Sequence, residues 1–570
     1  MMQIRFLIQL VLACSLSLLP TSLASEVGAP VKTTSGTVTG HPARNRTDVS
    51  EYLGIRYAHP ATGNRRFQPP LVFYSDKAVD ALDYSPACPF TPSPPLAYPD
   101  KSATFDKIYG AFLGRGNKTF SEDCLSLNVW TKDPDPAKLK PVVFFIHGGR
   151  FASGTANITH YEGQYVADTG EVVMVSINYR MGVLGFSGAP SLTQNTGILD
   201  QRMALEWVRD NIKEFGGDPK RIMLYGQSVG GLSVDYHAYA WPDDPIAASI
   251  FSISGTAASV QAQTSNLSSQ YWYNLSEIVG CPAAGNAVPC MQAHSWQTLL
   301  AGIEKLSYAP TLAVFQPQFQ ETADGITVFS DYADRGRAGK FAKVPYLVGN
   351  GDYEAGFYKL AAFATKRSLT ENQWDMFNLQ GFTCASRTAA ENRLHNGVTT
   401  YRYRYFGDWA NLRLHPSSGA YHGADLNMWH GVGQDVSGEP NSELEDKTSA
   451  YMMKAMIAFA TDPEDGLSKM GWPKYADPES NGSVQELYPK NSLMLSPLSD
   501  SSPKSLVRLG FNNETEASFS SPYVYDLPCL DFNGDTKYAQ GAICKNEHQG
   551  RELRPLGCER RAQNASTRNA

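Results

Sequence analysis

The chain has 570 residues, with 49 Lys and Arg against 56 Asp and Glu and a formal net charge of −7. A mildly acidic chain with 18% charged residues lacks the basic surface that a phosphate backbone requires, so nucleic acid is not an expected partner. Its 42% of apolar and 11% of aromatic residues exclude the disordered class. Length alone allows about three or four domains, but the motifs described below favour one large domain.

The first 24 residues have the features of a secretory signal peptide. Arg5 precedes an apolar run at 6–19, and the sequence SLA at 22–24 fits the rule for cleavage after Ala24. The alternative is a transmembrane anchor, but the run is shorter than the roughly 20 apolar residues that a span needs. We therefore expect a secreted chain of residues 25–570 with no stable membrane anchor.

Secretion makes the cysteines and the sequons informative. Cys14 leaves with the signal peptide, and an even number of cysteines in an oxidising compartment indicates disulfides, while the lack of a CxxC pair argues against a zinc ribbon. The remaining cysteines are Cys88, Cys124, Cys281, Cys290, Cys384, Cys529, Cys544 and Cys558. N-glycosylation is expected at some of the Asn-x-Ser/Thr sequons, which begin at Asn45, Asn117, Asn157, Asn266, Asn274, Asn481, Asn513 and Asn564.

Strand-like and helix-like stretches alternate after a proline-rich loop at 86–99, a pattern typical of a mostly parallel sheet covered by helices. Residues 141–146 (PVVFFI) and 172–177 (VVMVSI) are short apolar runs, which predict strands buried on both faces. Residues 199–215 have helical periodicity and end at a Gly-Gly pair, and 222–225 follow as another short strand.

Two glycine-rich motifs follow predicted strands. Residues 226–231 (GQSVGG) match the G-x-S-x-G turn in which Ser228 is a nucleophile exposed at a helix N-terminus, and glycine is needed because the turn leaves no room for side chains. Residues 146–151 (IHGGRF) match the loop that supplies oxyanion-hole amides in α/β-hydrolases. Either motif alone also fits an ordinary turn, but together they indicate a serine hydrolase.

These motifs and four further blocks resemble the type-B carboxylesterase family, which includes cholinesterases and fungal carboxylesterases and lipases. The further blocks are residues 52–69, 122–130, 197–219 and the pair 462–463 with 472–475. The resemblance runs from about 31 to about 475, looks most like fungal members, and is weaker in the tail after about 500. It implies an α/β-hydrolase fold, with a large, mostly parallel sheet flanked by helices, and a serine esterase that needs no cofactor.

The catalytic acid and base should follow Ser228 in the order Ser, acid, His. After a strand-like stretch at 344–348, both Asp352 and Glu354 are candidates on physical grounds. The resemblance selects Glu354 and leaves Asp352 as a turn residue, although Ala355 stands where the family usually has Gly.

The histidine is expected in the loop after a predicted strand at 401–406, which holds both His415 and His422. Residues 421–426 (YHGADL) resemble the family's H-G-x-[DE]-L block, which selects His422 as the base and implies a supporting or structural role for Asp425. His415 is then predicted to begin a turn with the proline that follows it.

The resemblance also implies an oxyanion hole and two disulfides. The oxyanion hole consists of the backbone amides of Gly149, Arg150 and Val229. The disulfides are Cys88–Cys124 and Cys281–Cys290, and the other four cysteines allow three pairings. Many family members have Gly in place of Arg150, whose side chain either pairs with a structural carboxylate or favours substrates that bear a carboxylate.

No metal site is expected. Asp531, Asn533 and Asp535 only faintly resemble a calcium loop, because the glycine spacing is wrong and no Glu closes it. The chain has no H-E-x-x-H motif.

The predicted function is therefore a secreted glycoprotein esterase that hydrolyses small carboxylic esters through an acyl-enzyme, with Ser228, Glu354 and His422 as its triad. The alternatives are a lipase for longer-chain lipid esters, with a lid between Cys88 and Cys124, and a non-catalytic adhesion protein of the same family. The oligomeric state stays open.

Overall fold

The structure is a computed structural model that describes residues 26–114, 119–306, 316–476 and 506–509. These residues all belong to one compact unit. Several sequence predictions lie outside them, namely the signal peptide at 1–24, the sequons at Asn117, Asn481, Asn513 and Asn564, the cysteines Cys529, Cys544 and Cys558, and the turn at 531–535.

Thirteen strands lie in the described residues. They are β1 (Val31–Thr33), β2 (Gly36–Thr39), β3 (His41–Pro42), β4 (Ser50–Arg56), β5 (Ala78–Asp80), β6 (Ser126–Thr131), β7 (Lys140–Ile146), β8 (Val173–Ile177), β9 (Gly217–Gln227), β10 (Ser249–Ile253), β11 (Tyr346–Gly351), β12 (Thr400–Tyr405) and β13 (Leu506–Leu509). Strands β1, β2 and β5 form a small sheet, and the other ten form a large sheet in the order β13-β12-β11-β10-β9-β7-β8-β6-β4-β3.

The described residues also form sixteen α-helices. They are α1 (Phe105–Phe112), α2 (Gln164–Asp168), α3 (Gly182–Gly185), α4 (Thr196–Asn211), α5 (Val229–Ala240), α6 (Ser265–Ile278), α7 (Val288–Ala293), α8 (Trp296–Ile303), α9 (Tyr332–Arg337), α10 (Ala355–Ala364), α11 (Glu371–Asn378), α12 (Cys384–His395), α13 (Leu426–His430), α14 (Gly433–Ser437), α15 (Glu443–Thr461) and α16 (Gly466–Lys469). None of these helices is long and apolar enough to cross a bilayer.

The large sheet is parallel except at one edge. Neighbouring strands from β13 to β8 pair in parallel, whereas β8–β6, β6–β4 and β4–β3 are antiparallel pairs. The predicted fold class, a large and mostly parallel sheet flanked by helices, is confirmed.

Strand β7 shows why the central strands of the sheet have continuous apolar sequences. Val142, Phe144 and Ile146 belong to the hydrophobic core on one face, and Val143 and Phe145 belong to the core on the other face. Each of these side chains is at most 1% exposed. Because both faces are covered, no position in the strand selects a polar residue.

The element boundaries differ from the predicted ones at chain turns. The helix predicted at 199–215 ends at Asn211 and continues as a 3-10 turn at Ile212–Phe215. The strand predicted at 222–225 is the second half of β9. The strand predicted at 344–348 begins and ends later, as β11.

Disulfides join Cys88 to Cys124 and Cys281 to Cys290, the two pairs that the resemblance implied. Cys384 is disulfide-bonded as well. Cys281, Cys290 and His294 are close enough together to hold a metal ion, but the disulfide occupies both sulfurs, so these residues do not make a thiolate site.

Candidate active site

The three predicted triad residues follow strands β9, β11 and β12 of the parallel part of the sheet. Ser228 comes directly after β9, Glu354 comes three residues after β11, and His422 lies in the loop after β12. The carboxyl ends of parallel strands meet at one edge of a sheet, where the sites of α/β proteins form. The topology therefore brings residues nearly 200 positions apart to one place.

Ser228 sits in a tight and strained turn between β9 and α5. Its φ is 61° and its ψ is −127°, a region that non-glycine residues rarely adopt. The Ser228 N–H donates to the carbonyl oxygen of Ile253 at 2.8 Å. A Cβ on Gly230 would lie 2.0 Å from the carbonyl oxygen of Ile146, so only glycine fits there. The glycines thus permit the turn that exposes the serine.

Glu354 and His422 form a buried, directly bonded pair. Nδ1 of His422 lies 2.5 Å from Oε2 of Glu354, and the two residues are 2% and 0% exposed. The other oxygen, Oε1, accepts from the Ser254 hydroxyl at 2.7 Å and from the Gly351 amide at 2.5 Å. Because the carboxylate holds Nδ1, the opposite nitrogen, Nε2, faces the site and is available for proton transfer.

Asp352 and His415, the alternative candidates for the acid and the base, have other partners. Asp352 forms an ion pair with Arg404 at 2.8 Å. Nε2 of His415 lies 3.3 Å from the carbonyl oxygen of Gly356, and the Ser418 amide donates to the His415 carbonyl oxygen as the predicted turn requires. Burial also lowers the pKa of His415. Neither rival takes part in the Glu354–His422 contact.

Asp425 is a buried residue that follows the predicted base, His422, in the same loop. One of its oxygens accepts from the Tyr403 hydroxyl at 2.7 Å and from the Trp429 indole at 3.4 Å. Burial raises the pKa of Asp425 to about 6, and the nearby negative charge of Glu354 adds to this effect. These two hydrogen bonds therefore hold the side chain of Asp425 in one position.

In the described residues no hydrogen bond joins the Ser228 hydroxyl to Nε2 of His422. Nε2 lies 3.2 Å from the amide nitrogen of Gln227 and 3.5 Å from the Tyr358 hydroxyl. The Tyr358 hydroxyl also interacts with Ser228. Hydrogen bonds between a nucleophile and its base are often long or misaligned until substrate binds.

The glycine-rich loop after β7 runs against the nucleophile. A Cβ on Gly148 would lie 2.9 Å from Cβ of Ser228. Gly149 and Arg150 follow with φ values of 118° and 56°, and Arg150 is exposed. Val229 is the first residue of α5, so its N–H has no acceptor within the helix. The glycine-rich loop therefore packs directly against the turn that carries Ser228.

Aromatic side chains that the sequence analysis did not single out line the site. Phe382, in a π-helical turn at Leu379–Thr383, and Tyr358 have ring centroids 5.2 and 5.1 Å from that of His422. Phe112 of α1 occupies the space beside Gly423, where a Cβ would lie 2.7 Å from its ring. The position of Tyr358, four residues after Glu354 and so one helical turn along, is the signal that could have identified it.

The chain is similar to known carboxylesterases, lipases and cholinesterases. A model of the "Carboxylesterase family" matches residues 28–382, a range that includes Ser228 and Glu354 and stops before His422. Secreted lipase 5 of Gibberella zeae is 29% identical over 92% of this chain and 98% of its own length. Chlorogenic acid esterase of Aspergillus niger is 32% identical over 77% of this chain and 84% of its own length. Acetylcholinesterase of Electrophorus electricus is 32% identical over 56% of this chain and 49% of its own length.

The matched range covers most of the large sheet together with the serine turn and the glycine-rich loop. The two fungal relatives align with 92% and 77% of this chain and carry the names of a lipase and an esterase. The chain therefore belongs to the carboxylesterase family and is a carboxylic-ester hydrolase.

Proposed function

We propose that the protein is a secreted serine esterase in which Ser228 is the nucleophile, His422 the general base and Glu354 the residue that orients the base. The observation that carries this proposal is the buried 2.5 Å contact between Glu354 and His422 beside the strained turn of Ser228. In a triad the acid fixes the tautomer of the imidazole and stabilises its charged form. The two hydrogen bonds to Oε1 keep the carboxylate of Glu354 in position for that role.

The reaction proceeds in two halves. Oγ of Ser228 attacks the carbonyl carbon of the ester while Nε2 of His422 takes the serine proton and then delivers it to the oxygen of the leaving alcohol. Water then attacks the acyl-enzyme, gives its proton to Nε2, and releases the carboxylic acid as Ser228 recovers its proton. None of these steps requires a cofactor.

The negative oxygen of each tetrahedral intermediate is held by the backbone amides of Gly149, Arg150 and Val229. The close approach of Gly148 to Ser228 and the helix N-terminus at Val229 support this assignment. Removing one donor from such a site typically slows a reaction by about a hundred- to a thousandfold.

The mature protein is proposed to be a single secreted catalytic domain, residues 25–570, that carries N-linked glycans. The fungal relatives include a secreted lipase. Four sequon asparagines lie in the described residues: Asn45, Asn266 and Asn274 are exposed, and Asn157 is partly exposed. All four are accessible at the surface, as glycan attachment requires.

The substrate is proposed to be a small carboxylic ester, and lipase activity is the second candidate. Two observations favour lipase activity: the similarity to a secreted lipase and the position of α1, which lies in the Cys88–Cys124 loop and places Phe112 beside Gly423. A panel of acyl esters from acetyl to long-chain, measured with and without an emulsion, separates the two. We expect the highest kcat/KM on short, dissolved esters, and a rise of activity at the emulsion surface would favour the lipase.

Ser228→Ala tests the triad directly. The variant should lose measurable turnover and keep the melting temperature of the wild type, and an organophosphate should label the wild type on Ser228 alone. Ser269→Ala, which removes a hydroxyl from α6 outside the site, is the control and should keep full activity. Labelling of another residue, or activity of Ser228→Ala within tenfold of wild type, would sink the assignment; that factor corresponds to about 1.4 kcal/mol of barrier.

A further inference from the structure

Tyr358 is a polar side chain close to both the proposed nucleophile and its proposed base. Its hydroxyl is 3.5 Å from Nε2 of His422 and interacts with Ser228. It is therefore near both of the groups between which a proton must pass. The Ser-Glu-His triad does not itself use this hydroxyl.

The ring of Tyr358 is fixed by aromatic neighbours. Its centroid lies 4.8 Å from that of Phe377, 5.9 Å from that of Phe382 and 5.1 Å from that of His422. The first two neighbours come from α11 and from the π-helical turn that follows it, and such turns often occur at functional sites. A ring held on these sides keeps its hydroxyl in one position beside His422.

The hydroxyl of Tyr358 stays protonated in the working range of an esterase. Burial raises its pKa above the usual value, and the positive charge of Arg150 only partly offsets that effect. A neutral phenol can donate one hydrogen bond. Tyr358 is therefore available as a donor throughout the reaction.

We propose that Tyr358 is a catalytic residue that donates a hydrogen bond to Oγ of Ser228 when this oxygen leaves the acyl carbon. In that step water has added to the acyl-enzyme and its proton is on Nε2 of His422. The bond between the acyl carbon and Oγ breaks, Oγ keeps the electron pair, and the proton moves from Nε2 to Oγ. Tyr358 keeps its own proton and stabilises the negative charge that develops on Oγ.

The donor should act mainly on deacylation. In the free enzyme Oγ is a hydroxyl oxygen, which already accepts a hydrogen bond well, so Tyr358 stabilises the ground state of acylation too. In the acyl-enzyme Oγ is an ester oxygen and accepts poorly until the bond begins to break. Only an interaction that strengthens on the way to the transition state raises a rate.

Tyr358→Phe tests this role, which rests on the proposed acyl-enzyme mechanism. An aryl N-methylcarbamate would be used to carbamoylate the serine, and the return of esterase activity after its removal measures the second half-reaction directly. We expect the return to slow about tenfold, the factor for one hydrogen bond, while carbamoylation changes less than threefold. In the same variant kcat and KM for an ester limited by deacylation should fall together.

Tyr353→Phe is the matched control, since it removes a tyrosine hydroxyl five residues away, next to Lys359, and should change neither rate. Equal slowing of both half-reactions by Tyr358→Phe, or no change in either, would overturn the proposal. A drop in melting temperature with unchanged rates would mark a purely structural hydroxyl. Failure of the wild type to be carbamoylated on Ser228 would instead contradict the triad itself, so the two failures are distinguishable.

Discussion

Ser228 adopts a left-handed backbone conformation that its neighbours make possible. Its φ of 61° is unfavourable for a residue with a side chain. The turn persists because Gly230 and Gly148 let the adjacent strand and loop approach so closely that they hold it on both sides. The same contacts hold the glycine-rich loop against the serine turn. The strained turn of Ser228 and the close approach of the glycine-rich loop are thus one structural feature.

Arg150 belongs to the glycine-rich loop that packs against the serine turn. The side chain is exposed, and its positive charge acts on the hydroxyl of Tyr358, which lies beside His422. We expect Arg150→Gly to lower kcat/KM on an ester with a carboxylate by about tenfold or more, because hydrogen bonds to charged groups are stronger than neutral ones. Its neutral analogue should be hydrolysed at nearly the wild-type rate.

Arg150→Gly tests the side-chain charge alone, because the backbone can keep its conformation in the variant. The φ of Arg150 is 56°, which glycine adopts without penalty, and the amide of the oxyanion hole is retained. Kinetics on the two paired esters make the comparison. Equal losses on both, or a lower melting temperature with no kinetic change, would show that Arg150 has a structural role.

Ser228, Glu354 and His422 could be predicted as a triad because each lies in a short motif next to a predicted strand, and the triad stays a proposal. In the structure Glu354 and His422 are in direct contact. Ala355, in place of the usual glycine, is the first residue of α10, a position that needs no glycine. Tyr358 stands one helical turn after Glu354, but its importance depends also on the packing of its ring against the π-helical turn, and the sequence does not show that contact.

At the level of elements, the loops closed by disulfides stand in different relations to the site. The Cys281–Cys290 loop joins α6 to α7 and packs in a separate core cluster, away from the triad. The Cys88–Cys124 loop contains α1, whose Phe112 fills the space beside Gly423. The first loop should therefore contribute stability, whereas the second should also position His422.

Removing each disulfide by paired Cys→Ala changes tests this difference. Cys281→Ala/Cys290→Ala opens a loop with a sequence separation of 9, and the free energy of unfolding should fall by roughly 2–3 kcal/mol with kcat unchanged. Cys88→Ala/Cys124→Ala opens a loop with a separation of 36, and should cost about 4 kcal/mol and lower kcat as well. Denaturant unfolding and esterase kinetics at a temperature where both variants are folded make the measurement. Equal effects on kcat would contradict the assignment.

The type of each central element was predictable, whereas its ends were not. The apolar run of β7 encodes burial on both faces, and the prediction of a strand there is confirmed within one residue. The end of α4 was misplaced because residues 212–215 keep the helical periodicity but form a 3-10 turn before Gly216. Periodicity reports which face is buried, and it does not distinguish between the two kinds of helical turn.

The charge of the whole molecule depends on carboxyl groups that the fold buries. The formal net charge of −7 counts every Asp and Glu as ionised. Burial raises the pKa of Glu162, Glu321 and Glu445 to about 7 and that of Asp425 to about 6. The folded protein is therefore less negative below pH 7 than its composition indicates, and its stability should depend on pH in the same range.

Glu321 is the clearest of these groups, since it is 2% exposed and faces no positively charged group among the causes of its pKa shift; the hydroxyl of Tyr236 lies 3.3 Å from its carboxyl group. Its ordinary pKa is 4.5 and its folded pKa is about 7. Below pH 4.5 Glu321 is protonated in both the folded and the unfolded protein. Between pH 4.5 and about 7 it releases its proton only in the unfolded chain. The contribution of Glu321 to the free energy of unfolding is thus complete at low pH and is lost as pH rises to about 7, by an amount of about 3 kcal/mol.

Glu321→Gln removes the titration and keeps a neutral side chain of the same shape. The difference in unfolding free energy between the variant and the wild type should move in favour of the variant by about 3 kcal/mol between pH 4.5 and pH 8. Denaturant unfolding of both proteins at a series of pH values measures it. Glu277→Gln, at an exposed position on α6, is the control and should leave the pH dependence as in the wild type. A Glu321→Gln curve parallel to that of the wild type would show that Glu321 is ionised in the folded protein.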